Sequence, residues 1–235
     1  MQPISNIIWV MMLNNLKLDN LPQRSIKILR PSSSTRPTIW LVEENGVKLV
    51  VKDFSRNRCL YKNLFGRLLI WREAKAYRRL RGLKGIPRCY GVLEGLALVT
   101  EFVEGKTLKQ MEKEGNLSPL FFERLKELID SFHMRGIAHC DLKRTPNILV
   151  SRGEQPYILD WAASIFASEC KIFPLTKIYK RLLRDDDMAL IKMKLRHIPQ
   201  HVTKHEKAMY ERRSPAERLI RSIRDKLREW LQRLA

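Results

Sequence analysis

His139-Cys-Asp141-Leu-Lys143-Arg-Thr-Pro-Asn147-Ile-Leu-Val150, followed by Tyr157-Ile-Leu-Asp160-Trp-Ala162, is the stretch that decides how this chain is read. Two short apolar runs, Asn147–Val150 and Pro156–Leu159, flank Arg152-Gly153 and predict a small β-hairpin. Side chains able to take a proton or hold a hard cation stand at both ends of it. Asp141 and Asn147 come before the hairpin, and Asp160 follows it. Aspartates in such places can also be no more than turn or cap residues. The surrounding sequence has to choose between the two.

Upstream, Ser25–Arg30 and Thr38–Val42 read as strands around Pro31-Ser-Ser-Ser-Thr-Arg-Pro37, and Val47–Phe54 as a third strand after Glu44-Asn45-Gly46. That is an antiparallel meander. A helix over about Leu64–Leu80 follows, with Leu69, Tyr77 and Leu80 on one face and Arg72, Lys75 and Arg79 on the other. From Phe54 to Leu93 there are eleven Lys and Arg, and Glu73 is the one carboxylate. It stands four residues from both Leu69 and Tyr77, on the apolar face, where an unpaired charge is costly. Cys89–Leu93 and Leu96–Phe102 predict two more strands joined at Glu94-Gly95, and Val103-Glu104-Gly105-Lys106 reads as a linker.

The rest is read as helical apart from the hairpin. Ser118 and Pro119 open a helix carrying Phe122, Leu125, Leu128, Ile129 and Phe132, which ends by Gly136. Asp185-Asp186-Asp187 reads as a solvated cap for a helix starting at Met188. A last helix starts with the capping box Ser214-Pro-Ala-Glu217 and lines up Ile220, Ile223, Leu227, Trp230 and Leu234. His197, His201 and His205 are spaced by four, but Pro199 interrupts their helix, which argues against a metal site. The expected organisation is an N-terminal extension 1–24, a sheet domain 25–103 with five strands and one helix, and a helical domain 104–235.

Taken together, the segments resemble the protein-kinase superfamily from about Ser25 to Trp161, in order along the chain. His139–Asn147 is similar to the catalytic loop H-R-D-L-x-x-x-N, Asp160 to the aspartate of D-F-G, and Leu49-Val-Val-Lys52 to V-A-I-K. Arg72-Glu-Ala-Lys-Ala-Tyr77, Gly85-Ile-Pro87 and Glu104-Gly105 look like bacterial lipopolysaccharide-core sugar kinases and their small Ser/Thr-kinase-like relatives. The resemblance implies an α+β, bilobal protein-kinase-like fold with a small antiparallel-sheet N-lobe and a reduced helical C-lobe. It also implies ATP and Mg2+ as cofactors, with the nucleotide near Val103.

By the same resemblance, Asp141 is the base or orienter of an acceptor hydroxyl, with Lys143 beside it. Asn147 and Asp160 hold the metal, and Lys52, paired with Glu73, meets the α/β-phosphates. The pairing would account for the carboxylate on the apolar face; the plainer alternative is a surface ion pair. The sequence departs from the family pattern in four places. No glycine-rich loop precedes Lys52, so Ser32, Ser33 and Ser34, with Thr35, would have to cover the phosphates through hydroxyl and N–H groups. Cys140 replaces the arginine, Asn147 stands one residue further from Asp141, and Trp161-Ala162 replaces Phe-Gly.

Composition narrows the partners. Four cysteines without C-x-x-C spacing point to a reducing compartment. Ile4–Leu13 is about half the roughly 20 residues that span a bilayer and lacks the features of a signal peptide. The expected place is cytoplasmic, or peripheral at the inner face of the cell membrane. A net charge of +20 favours anionic partners, including anionic membrane, while nucleic acid is disfavoured because aromatics do not interleave with the basic residues. Three acceptor classes stay open: protein Ser/Thr, a phosphorylated glycolipid, or none at all in a silent nucleotide-binding scaffold.

Overall fold

The computed structural model describes residues 16–114 and 117–211. They fall into two compact units, one of residues 16–78 and 87–102, the other of residues 79–86 and 103–211.

The first unit is built on a five-stranded antiparallel sheet in the order β1-β2-β3-β5-β4. Its strands are β1 (Ser25–Arg30), β2 (Thr38–Glu44), β3 (Val47–Asp53), β4 (Cys89–Leu93) and β5 (Ala97–Glu101). Asn45 and Gly46, with φ of 51° and 76°, form the two-residue turn between β2 and β3, whose left-handed geometry matches the twist of the strands. Alternation along β3 sends Leu49 and Val51 to one face and Lys52 to the other. Leu49 and Val51 join Trp40, Val42, Leu93, Ala97 and Val99 in a core closed by Leu16, Leu18 and Leu21. Residues 16–24, expected as part of an extension, are therefore the cover of this sheet face. Arg24 holds the segment to β2 through Glu44 at 2.7 Å.

Lys52 points to the face occupied by α1 (Arg67–Leu80). The helical path begins earlier than the sequence predicts, with one turn at Cys59–Tyr61 and a π-helical segment at Lys62–Gly66. Gly66 allows this wide turn to sit against Phe54, since a Cβ there would lie 3.0 Å from the Phe54 Cβ.

The second unit has a three-stranded sheet, β6-β8-β9, made of β6 (Gly105–Thr107), β8 (Ile148–Ser151) and β9 (Gln155–Ile158). The hairpin β8–β9 was expected; β6 falls in the supposed linker. It is only three residues long and has no apolar alternation to reveal it. Gly105 is required there because a Cβ would lie 2.5 Å from the Val150 carbonyl oxygen.

Helices α2 (Leu108–Glu114), α3 (Pro119–Met134), α4 (Leu175–His197) and α5 (Lys204–Glu211) make up most of the remainder. Two short strands, β7 (Ile137–Ala138) and β10 (Ile165–Phe166), pair with each other. α3 buries Phe121, Phe122, Leu125, Leu128, Ile129 and Phe132. Ser118 does not cap it through its own side chain; its hydroxyl and N–H both go to the Glu154 carboxylate.

α4 corrects another expectation. Asp185–Asp187 lie in the middle of this 23-residue helix, and Asp186 is buried, so the triplet is not a solvated cap. The helix expected after Ser214 lies outside the described residues. Among those described, no helix is long and apolar enough to cross a membrane.

Candidate active site

In the first unit, Lys52 Nζ donates to Glu73 Oε2 at 2.7 Å. The Glu73 side chain is 3% exposed and that of Lys52 14%, so this is a buried pair rather than a surface one. α1 turns Glu73 inward together with Ile70, Ala74 and Tyr77, and β3 sends Lys52 to meet it.

The serine-rich turn belongs to the same unit. Ser33 and Arg36 bond each other through their backbones at 3.1 and 3.4 Å, closing a tight turn. The Asn57 side-chain amide donates to the carbonyls of Ser33, Ser34 and Arg36 at 2.7, 3.3 and 3.1 Å, and the Tyr61 hydroxyl to that of Thr35 at 3.0 Å. Ser32, Ser33 and Ser34 stay exposed. The carbonyls of this turn are thus occupied by Asn57 and Tyr61, while its three serines remain accessible. Neither Asn57 nor Tyr61 was marked by the sequence, since a polar side chain serving a loop more than twenty residues away leaves no periodic signal.

In the second unit, the loop after β7 is held from several sides. His139 is fully buried; its Nδ1 accepts from the Asp141 N–H at 3.2 Å. Its Nε2 therefore carries the proton and donates to the Leu159 carbonyl at 3.0 Å. Asp186 of α4 accepts from the backbone N–H of His139 at 2.7 Å and of Cys140 at 3.0 Å, and its Oδ2 also meets His133 Nε2 at 3.2 Å. Cys140 is thereby kept at φ 67°, a left-handed conformation that a non-glycine residue adopts only under constraint.

Asn147 reaches Asp141 despite its extra residue. A single 3-10 turn, Thr145–Asn147, with Pro146 inside it, takes up the added length. Asn147 Nδ2 then donates to the Asp141 carbonyl at 3.1 Å and lies 3.4 Å from Asp141 Oδ2. The cation in contact with Asp141 is Arg144, with Nε 3.2 Å from Oδ2; Lys143 is exposed. Burial pushes the Asp141 carboxyl above its ordinary range, Arg144 opposes that, and the nearby Asp160 adds to it.

Asp160 is also left-handed, at φ 62° and ψ 69°. The next residue anchors it. Trp161 is fully buried, packs edge-on against Phe132 and His139 at ring distances of 5.1 and 4.6 Å, and donates from Nε1 to the Ile158 carbonyl at 3.3 Å. Val103 is half-buried and opens the longer stretch of this unit, residues 103–211. Two candidate sets thus exist, Lys52–Glu73 with the serine turn in one unit and Asp141–Asn147–Asp160 in the other.

Residues 48–175, more than half of the chain, match the family model of the RIO domain. The chain belongs to the RIO-domain family. It is a protein-kinase-like family, and the match contains Lys52, Glu73, Asp141, Asn147 and Asp160. Curated relatives from strains of Xylella fastidiosa, named 3-deoxy-D-manno-octulosonic acid kinase, are 27% identical over a 174-residue alignment. That alignment covers 65% of this chain and 69% of the relative. Among solved structures, the Rio2 kinase–ADP/Mg2+–phosphoaspartate complex from Chaetomium thermophilum is similar, with a TM-score of 0.56 and 16% identity. The similarity covers 86% of this RIO domain chain and 65% of that one, and it shows the shared α+β kinase-like fold.

Other clusters in this RIO domain are weaker. Among the described residues, His197, His201 and His205 form no common group, whereas Asp130, His133 and Asp187 bring ligand atoms within 4.8 Å of one another. Asp130 is already paired with Lys126 at 2.5 Å, and His133 serves Asp186.

Proposed function

We propose that this RIO domain is an ATP- and Mg2+-dependent kinase whose acceptor is a hydroxyl of an anionic envelope sugar of the 3-deoxy-D-manno-octulosonic acid type. The observation that carries the kinase reading is the loop 139–147, in which Asp141 is fixed through Asn147, His139 and Asp186 and lies near Asp160. Asp141 orients the acceptor hydroxyl and takes up its proton. A carboxyl raised by burial is a better base than an ordinary aspartate.

Asp160 and the carboxamide oxygen of Asn147 are hard oxygen donors of the kind magnesium selects. Magnesium, when bound, neutralises charge that develops on the transferred phosphoryl group. Lys52, kept in place by Glu73, contacts the α/β-phosphates. Ser32, Ser33 and Ser34 cover the phosphates from the pinned turn, and Val103 borders the base. The turn at Thr145–Asn147 favours an active enzyme over a silent scaffold, because it returns Asn147 to Asp141.

The sugar acceptor is supported by the names of the relatives and by a charge of +20, which attracts a phosphorylated glycolipid. The enzyme would then work at the inner face of the cell membrane. A protein Ser/Thr acceptor is the second reading; the exposed Lys143, two residues after Asp141, favours it. The test supplies ATP labelled at the γ-phosphate to wild type and to Asp141→Ala, with an envelope-glycolipid fraction and a protein fraction. Asp141-dependent label on glycolipid is the expected result. Label confined to protein overturns the sugar acceptor, and no Asp141-dependent label in either fraction, with ATP still bound, overturns both acceptors and leaves the silent scaffold or a small-molecule acceptor.

A further inference from the structure

The helical segment that carries Glu73 has an outer face with no role in holding Lys52. Leu60, Leu64, Leu68 and Trp71 lie along it, 75%, 61%, 50% and 51% exposed. Trp71 precedes Glu73 by two positions, about 200° around the helix, so this stripe faces away from the ion pair. The π-helical segment at Lys62–Gly66 widens the turn and brings side chains four apart nearly into line, which stacks Leu60, Leu64 and Leu68. One exposed leucine is ordinary, but four large apolar side chains in a row form a contiguous patch that marks an interaction surface.

Charge identifies what the patch fits. It runs through residues 58–78, which carry six Lys and Arg and one acid, Glu73, buried and paired with Lys52. Arg58, Arg67 and Arg78 are exposed along the same segment, and Lys75 Nζ lies over the Trp71 ring at 5.4 Å. An apolar groove on another protein would use the leucines but not the positive charge that flanks them. A surface with an apolar layer beneath dense negative charge uses both, and a bilayer carrying anionic headgroups is such a surface.

We propose that residues 58–78 lie in the interface of an anionic membrane, with Leu60, Leu64, Leu68 and Trp71 among the upper acyl chains and the arginines and lysines at the headgroup phosphates. Trp71 suits the boundary, since its ring is apolar and its N–H can reach water or a headgroup. The assignment does not depend on which acceptor is phosphorylated, nor on ATP.

The experiment uses the full chain without nucleotide or sugar. Sedimentation is measured with vesicles of phosphatidylcholine alone and of phosphatidylcholine with phosphatidylglycerol, at low and high salt. Binding is expected only with phosphatidylglycerol, weaker in salt, and lowered about tenfold or more in the double variant Leu64→Glu, Leu68→Glu. Trp71 fluorescence, taken as wild type minus Trp71→Phe, is expected to shift to the blue and be quenched by brominated acyl chains. The double variant should keep the wild-type Tm in the absence of vesicles. Unchanged binding in that variant, or Trp71 emission indifferent to brominated lipid, overturns the proposal. So does a fall in Tm or loss of a dimer without lipid, because the face would then be covered by the chain's own 212–235 segment or by a second copy.

Discussion

Asp141 is the residue at which the proposed site would trade stability for chemistry. Its carboxylate is pushed up by burial even with Arg144 3.2 Å away and Asn147 donating to it, so the folded protein carries an unfavourable charge there. For a carboxyl whose folded pKa lies above its unfolded value, the cost is present above the folded pKa and is relieved as pH falls through it. Asp141→Asn is expected to leave Tm equal to or above wild type near neutral pH, with the difference vanishing in acid. Phosphoryl transfer should fall by about 10²–10⁴-fold. A Tm clearly below wild type would make Asp141 a structural turn residue. The wild-type rate should also decline on acidification at a higher pH than an ordinary aspartate would set.

At the scale of elements, α4 positions the loop through one residue. Asp186 serves two consecutive N–H groups, and an asparagine there keeps the shape but loses one acceptor oxygen and the charge. Asp186→Asn is expected to lower kcat about a hundredfold while leaving the KM for ATP near wild type, because misplacing Asp141 slightly affects chemistry more than nucleotide binding. A Tm far below wild type would mean general unfolding instead, since unfolded enzyme lowers apparent kcat without changing KM. On the sheet side, Leu21 is fully buried under β2 and β3, and Leu21→Ala should destabilise the protein by about 2–5 kcal/mol in denaturant titration. A negligible change would show that residues 16–24 are not the cover of this face.

These elements also show what the sequence reveals and what it hides. The five strands could be read because β-branched runs and the turns at Asn45-Gly46 and Glu94-Gly95 carry local signals. Glu73 was legible as a carboxylate on an apolar helix face. Asp186 gives the same signal, standing in line with the buried Ala189, Leu190 and Met193, but two neighbouring aspartates disguised it as a cap. Strand β6 and the Asn57 clamp were hidden for a different reason. Both depend on partners distant in the chain, Val150 and Ser33, and neither leaves a periodic trace.

For the molecule as a whole, the proposed kinase reading gives nucleotide handling to Lys52, Glu73 and the serine turn, and metal and acceptor handling to Asp160, Asn147 and Asp141. Charge then supplies a preference for anionic surroundings, which salt weakens. The claim on which the rest depends is that ATP binds through magnesium at Asp160. Calorimetric titration of ATP into wild type and Asp160→Asn, each with magnesium and with EDTA, measures it directly. Wild type is expected to bind about tenfold or more tightly with magnesium, and Asp160→Asn to show no difference between the two conditions while keeping its Tm. ATP binding that is equally tight in EDTA, or a magnesium effect that survives in Asp160→Asn, would contradict the account.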